Sequence, residues 1–169
     1  MTVTAAATDR SPTASLPREP SIADVWARPL PGAEVCFTRQ GEDALTPQDR
    51  KWPRCCRGIC RELLSGWGLD ALSDTGALVV SELVTNALQH GCAGSPISMA
   101  LTRCAEVVRI EVINCAPPWE LRHDLAGLDG ESGRGLLMVE SASDAFGIGA
   151  SGGRTRVWCE LALPAGEGR

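Results

Sequence analysis

The stretch Ser81-Glu82-Leu83-Val84-Thr85-Asn86-Ala87-Leu88-Gln89-His90-Gly91 constrains this chain more than any other. Leu78, Val79, Leu83, Ala87 and Leu88 recur at helical spacing, which predicts a helix over about Thr75 to His90 with one face to bury. Glu82, Asn86 and His90 follow one another four residues apart, so they share a neighbouring stripe. A carboxylate and a carboxamide one turn apart form a candidate pair for a divalent cation and for moving a proton. Gly91 then ends the helix as a C-terminal cap. The polar groups therefore stand on a rigid element.

At 169 residues the chain fits one domain with a real core. It is 44% hydrophobic and 22% charged, the balance of a soluble globular protein. The net charge of -5 gives no support to a nucleic-acid partner. No apolar run approaches the roughly 18 residues that a membrane span needs. Met1 to Pro20 is rich in Ala, Thr, Ser and Pro and lacks the apolar core of a signal peptide. Residues 1–31 accordingly read as a disordered tail, 32–164 as the folded domain and 165–169 as a short C-terminal tail. Eight cysteines without a secretory signal point to reduced thiols and a cytoplasmic protein. Cys55, Cys56 and Cys60 cluster on one predicted helix. They read either as small buried apolar residues or as a zinc or thiol-redox site, and no CxxC pair supports the latter.

Along the chain, a short strand is expected at Ala33 to Thr38 and a helix from Pro53 to about Leu64, with proline in its first turn. Ser73 and Asp74 are candidate caps for the helix that carries Glu82 and Asn86. Two strand-like runs follow, Pro96 to Thr102 and Glu106 to Asn114. In the second, Val108, Ile110 and Val112 alternate with Arg109, Glu111 and Ile113, as on a sheet with one covered face. Residues 116–132 read as a long functional loop. Gly133-Arg134-Gly135 opens a helix to about Ser143. Two strands, near Ala145 to Ile148 and Thr155 to Leu163, close the chain around a glycine-rich turn. The order implies an α+β, two-layer sandwich: a mixed, mainly antiparallel sheet covered by helices.

Two further features can complete a nucleotide pocket. The glycines at 133 and 135 let backbone N–H groups approach an anion at a helix N-terminus, though such a pair also occurs in ordinary loops. Asn114, at a strand end facing the long loop, offers an acceptor to an adenine amino group, although taken alone it reads first as a simple turn residue.

Taken in order, these residues resemble the histidine-kinase-like ATPase superfamily, the GHKL or Bergerat fold. They are most similar to its branch of small anti-sigma factors that are also serine kinases. Glu82 to Gly91 looks like that branch's N-box, Gly133-Arg134-Gly135-Leu136 like its second glycine box, and Gly152-Gly153-Arg154-Thr155 like its closing strand motif. The resemblance covers about Ala33 to Leu163. It implies ATP and Mg²⁺ as cofactors, with Asn86 holding the metal and Glu82 as the catalytic base. It also implies Gly133, Arg134, Gly135 and Leu136 at the phosphates, residues 116–132 as a lid, and Thr155 at the adenine end.

The family's first glycine box normally starts with Asp and places Gly two residues later. Here those places hold Asn114 and Ala116, followed by Pro117 and Pro118. A neutral acceptor binds less strongly than a carboxylate, so ATP affinity is expected below the family norm, and Asn114→Asp is expected to tighten it. The function implied is an ATP-binding regulator that phosphorylates a serine of an anti-anti-sigma-type protein or binds a sigma factor, with homodimerisation open. The alternative is a degenerate, partner-sequestering module of the same fold.

Overall fold

Residues 32–115 and 134–164 are described in the computed structural model of the chain. Within them, five strands build one sheet and three helices form the second layer. The elements are β1 (Gly32–Thr38), α1 (Trp52–Gly66), α2 (Ser73–His90), β2 (Pro96–Arg103), β3 (Val107–Asn114), α3 (Arg134–Ala142), β4 (Ala145–Ser151) and β5 (Arg154–Ala162). The strand order is β1-β2-β3-β5-β4, and every pairing is antiparallel. The expected α+β sandwich is therefore what the chain forms. β5, the last strand, inserts between β3 and β4.

Alternation in the strands decides which face is apolar. Met99 stands opposite Val112, Leu101 opposite Ile110, Ile110 opposite Cys159, and Val112 opposite Val157. These side chains join Ile97, Val108 and Leu161 in one buried core. α1 adds Cys56, Cys60 and Leu64, one turn apart on a single stripe. α2 lies against β2 and β3 with α1 and α3 on its flanks, so Val79, Val80, Leu83, Val84, Ala87 and Leu88 are all buried. Each buried Leu or Val on these faces contributes about 1.5–3 kcal/mol relative to exposure. Gly76 lets α1 and α2 approach closely, since a Cβ there would lie 2.8 Å from Leu64 Cδ1 and 3.1 Å from Cys60 Sγ.

Three expectations need correction. Leu78, assigned to the apolar stripe by its spacing, stands 39% exposed, because the buried arc of α2 runs through Val80 and Val84 instead. Neither Ser73 nor Asp74 caps α2. The N-cap position is Leu72, with no side-chain bond, because a 3-10 turn at Asp70–Leu72 leads into the helix. Asp74 instead faces Arg61 at 3.4 Å on the exposed surface, a contact of little energetic weight. The third concerns β3, which is covered on both faces: Arg109 and Glu111 are buried along with Val108, Ile110 and Val112.

The reason lies on β5 and β4. Arg109 Nε sits 3.1 Å from Glu160 Oε1, and its guanidinium stacks 4.2 Å above the Trp158 ring. Arg156 reaches Glu111 Oε2 at 3.5 Å. Burial pushes the Glu111 carboxyl above its usual range, while Arg156 and Arg109 pull it back down. Gly147 stands opposite Trp158 and makes room for the indole, because a Cβ there would meet the ring at 2.6 Å. Gly152 and Gly153, at φ of 59° and 75°, form the tight turn that joins β4 to β5.

Candidate functional site

α2 carries Glu82, half-buried, and Asn86, buried one turn later. α3 runs beside it and brings Gly135 against Glu82: a Cβ at 135 would lie 2.6 Å from Glu82 Oε2. Only a glycine lets the first turn of α3 approach the carboxylate this closely. The helix that carries Glu82 and Asn86 and the glycine-led start of α3 therefore meet in space, with Glu82 and Gly135 53 positions apart in the sequence. Arg134, the first residue of α3, is exposed. Leu136 is buried in the core, so its side chain packs inside the fold rather than lining the site. Ala116 and Gly133 lie outside the described residues, as do Pro117, Pro118 and the expected lid.

The other end of the site is formed by the central strands. Asn114 ends β3 and pairs directly with Thr155 at the start of β5. Both are buried, on the side of the sheet that faces the helices. Asn114 Nδ2 donates to Ala87 O at 3.3 Å. The same carbonyl accepts from Gly91 N at 2.9 Å. Gly91 is extended (φ -72°, ψ 151°), so its glycine is not required by a left-handed turn. It is required by space: a Cβ would come 2.4 Å from Ala87 O and 3.5 Å from Asn114 Nδ2. Arg39, just past β1, donates through Nη1 to Gly91 O and through Nη2 to Glu42 O at 3.1 Å. The C-terminal end of α2 is thus tied to β3 by an amide and to β1 by a cation, which suits the partial negative charge of that end. His90 is half-buried beside this junction.

Arg39 escaped sequence reasoning because nothing local links it to Gly91. The pair Cys92 and Cys115 escaped it for the same reason. Their sulfurs lie 3.2 Å apart, in residues that follow the ends of α2 and β3. The cysteine cluster on α1 splits: Cys55 is exposed, Cys56 and Cys60 are buried. Burial pushes the Cys56 thiol up to about 11 and the Cys60 thiol up to about 12, so both are protonated packing residues. Among the described residues, no three His, Cys, Asp or Glu side chains converge as a metal site. Asn86, whose carboxamide oxygen is the kind of ligand a hard cation takes, could hold such an ion only with oxygens supplied by a ligand and water. Nor is any described helix long and apolar enough to cross a membrane.

An antiparallel sheet backed by an acid-and-amide helix, with a glycine-led helix packed on the acid, defines the class of histidine-kinase-like ATPase folds. The family profile for the histidine kinase-like ATPase domain matches residues 50–160, and the chain belongs to that family. Among solved structures, the RsbU and RsbW domains of Rv1364c from Mycobacterium tuberculosis superpose with a TM-score of 0.49 at 23% identity, covering 79% of this chain and 34% of that one. This chain thus spans about a third of that protein. A histidine kinase from Burkholderia phymatum superposes with a TM-score of 0.46 at 16% identity, over 79% of this chain and 72% of the other. No curated protein matches the chain.

Proposed function

We propose that this protein is an ATP- and Mg²⁺-dependent regulator of the anti-sigma kinase type, which phosphorylates a serine on an anti-anti-sigma-type partner. The observation that carries the reading is the contact of Gly135 with the Glu82 carboxylate, one turn from Asn86. It sets the Glu82 carboxylate against the start of α3, with the Asn86 carboxamide one turn further along α2. Bound ATP-Mg²⁺ supplies an activated γ-phosphoryl group. Glu82 accepts the proton of the attacking serine hydroxyl. Asn86 presents its carboxamide oxygen to the cation. Backbone N–H groups of the first turn of α3 orient the phosphates. Asn114 has its amide nitrogen committed to Ala87 O, which leaves Oδ1 as its acceptor for a base amino group, with Thr155 beside it.

The test is calorimetric titration of ATP with and without Mg²⁺, followed by phosphate transfer to candidate partners. Magnesium-dependent binding that is lost in Asn86→Ala, and transfer that is lost in Glu82→Gln, support the reading. Equal behaviour of wild type and Glu82→Gln in the transfer assay sinks the kinase. A sequestering module that binds ATP weakly or not at all is the second reading. It is favoured by the neutral, partly committed side chain of Asn114 where the family has a carboxylate, and it is the outcome if no ATP binds at millimolar concentration.

A further inference from the structure

Eight thiols are distributed very unevenly with respect to chemistry. Cys56, Cys60 and Cys159 are buried, and burial pushes their thiols up to about 11, 12 and 12, so they offer almost no thiolate. Cys104 is partly buried, and its thiol is also pushed up, by burial and by Glu160. Cys36 is exposed and donates to Glu34 Oε1 at 3.6 Å; Cys55 is exposed on α1. Cys92 and Cys115 differ from all of these. Cys92 is exposed and Cys115 half-buried, their Sγ atoms are 3.2 Å apart, and Cys92 N donates to Cys115 O at 2.8 Å. The backbones already run side by side, so the sulfurs need to close by only about 1 Å to reach the roughly 2.05 Å of a disulfide.

We propose that Cys92 and Cys115 are a reversible thiol–disulfide couple that clasps the end of α2 to the end of β3. The oxidant is a small disulfide of the glutathione class. The thiolate of one cysteine attacks a sulfur of that disulfide and expels one thiol, leaving a mixed disulfide on the protein. The second cysteine then attacks the protein-bound sulfur and expels the other thiol. Two protein thiols are oxidised to one S–S bond, one external disulfide is reduced to two thiols, and the protons pass to the departing thiols. The clasp spans the junction already held by Asn114 Nδ2 on Ala87 O and by Arg39 on Gly91 O. It therefore links redox state to the spacing between the helix that carries Asn86 and the strand that carries Asn114. That last consequence rests on the nucleotide reading; the couple itself does not.

The full chain, without nucleotide, is equilibrated with glutathione disulfide; remaining thiols are then alkylated under denaturing conditions and the peptides mapped by mass. The expected result is one joined pair, Cys92 with Cys115, two hydrogens lighter and reversed by dithiothreitol. Cys115→Ser stops at a glutathione adduct on Cys92, and Cys92→Ser at one on Cys115. Oxidation of the wild type also slows amide exchange at Gly91 and Cys92 at least tenfold, and does not in either variant. Separate, stable adducts on the two cysteines of the wild type overturn the proposal. So do cross-links to Cys36 or Cys55, or exchange at the junction that is the same in both redox states. ATP binding is titrated separately on the same samples, so a pocket that holds no nucleotide overturns the proposed function and leaves the couple standing.

Discussion

Gly135→Ala separates what the fold requires from what the site requires. The added Cβ would stand 2.6 Å from Glu82 Oε2, against 3.4 Å for ordinary contact, and 3.6 Å from Glu82 Cδ. Something must retreat by about 0.8 Å, and the atom in the way is the tip of a half-buried, flexible carboxylate. Swinging that tip costs the fold little, and alanine is the better helix former by up to about 1 kcal/mol. Global stability is therefore expected to stay within about 1 kcal/mol of wild type in urea unfolding. Activity is another matter. A displacement approaching 1 Å between a base and the proton it takes can lower turnover by about 10–100-fold, equivalent to about 1.4–2.7 kcal/mol of barrier. ATP turnover, as phosphate transferred or released, is expected to fall by that factor while the affinity for ATP-Mg²⁺ changes much less. In a Glu82→Gln background the same substitution has nothing left to disturb, so the two effects are strongly non-additive. Wild-type turnover in Gly135→Ala, or an undiminished effect of it in the Glu82→Gln background, refutes the argument that this contact sets the carboxylate.

Three further outcomes follow from the packing and the charges. Asp49 is buried; burial alone would raise its pKa, but bonds from Gln40 N, Thr46 Oγ1, Thr46 N and Gly41 N hold it down to about 2. Since its ordinary value is 3.8, the carboxylate contributes about 2 kcal/mol above pH 4, lost as pH falls towards 2; Asp49→Asn should show that deficit in unfolding at pH 7 and little of it near pH 2. Gly76→Ala forces a methyl onto Leu64 Cδ1 and Cys60 Sγ and is expected to cost about 1–3 kcal/mol, whereas Gly58→Ala, with nothing within 4 Å of the new Cβ, should stabilise α1 by up to about 1 kcal/mol; thermal melts of the two variants read the opposite signs. Asn114→Asp loses the donor to Ala87 O and brings negative charge to a helix C-terminus, for an expected loss of about 1–2 kcal/mol; unchanged stability means the carboxamide does not tie α2 to β3, and any gain in ATP affinity must be measured against that loss.

Much of this architecture was legible in the sequence. Period-two alternation in Val108, Ile110 and Val112 and the helical spacing of Leu83, Ala87 and Leu88 report local burial, so elements and their apolar faces could be read directly. The closing of Glu82 on Gly135 was legible only through resemblance, because spacing says nothing about which helices pack together. Leu78 misled, since a residue at the border of an apolar arc is decided by neighbours on other elements. Arg109 and Glu111 misled because charged side chains ordinarily mark a solvated face; here Trp158 and the partners on β5 cover them. Cys92 and Cys115 carried no signal at all. Their meeting depends on where a helix ends and where a strand ends, two boundaries that sequence reading places only to within a few residues.

The position of β5 has a consequence for the order of events at birth. A chain emerges N-terminus first, so β1, α1, α2, β2 and β3 are available long before Arg154–Ala162 leaves the ribosome. Until then, β3 has no neighbour on one side, Asn114 lacks Thr155, and β4 has nothing to pair with. The site is consequently the last thing the chain completes, and its closing strand is a long-range, entropically slow addition. A nascent chain halted before residue 154 has the helix that carries Glu82 and Asn86 but lacks the floor beneath the far end of the site.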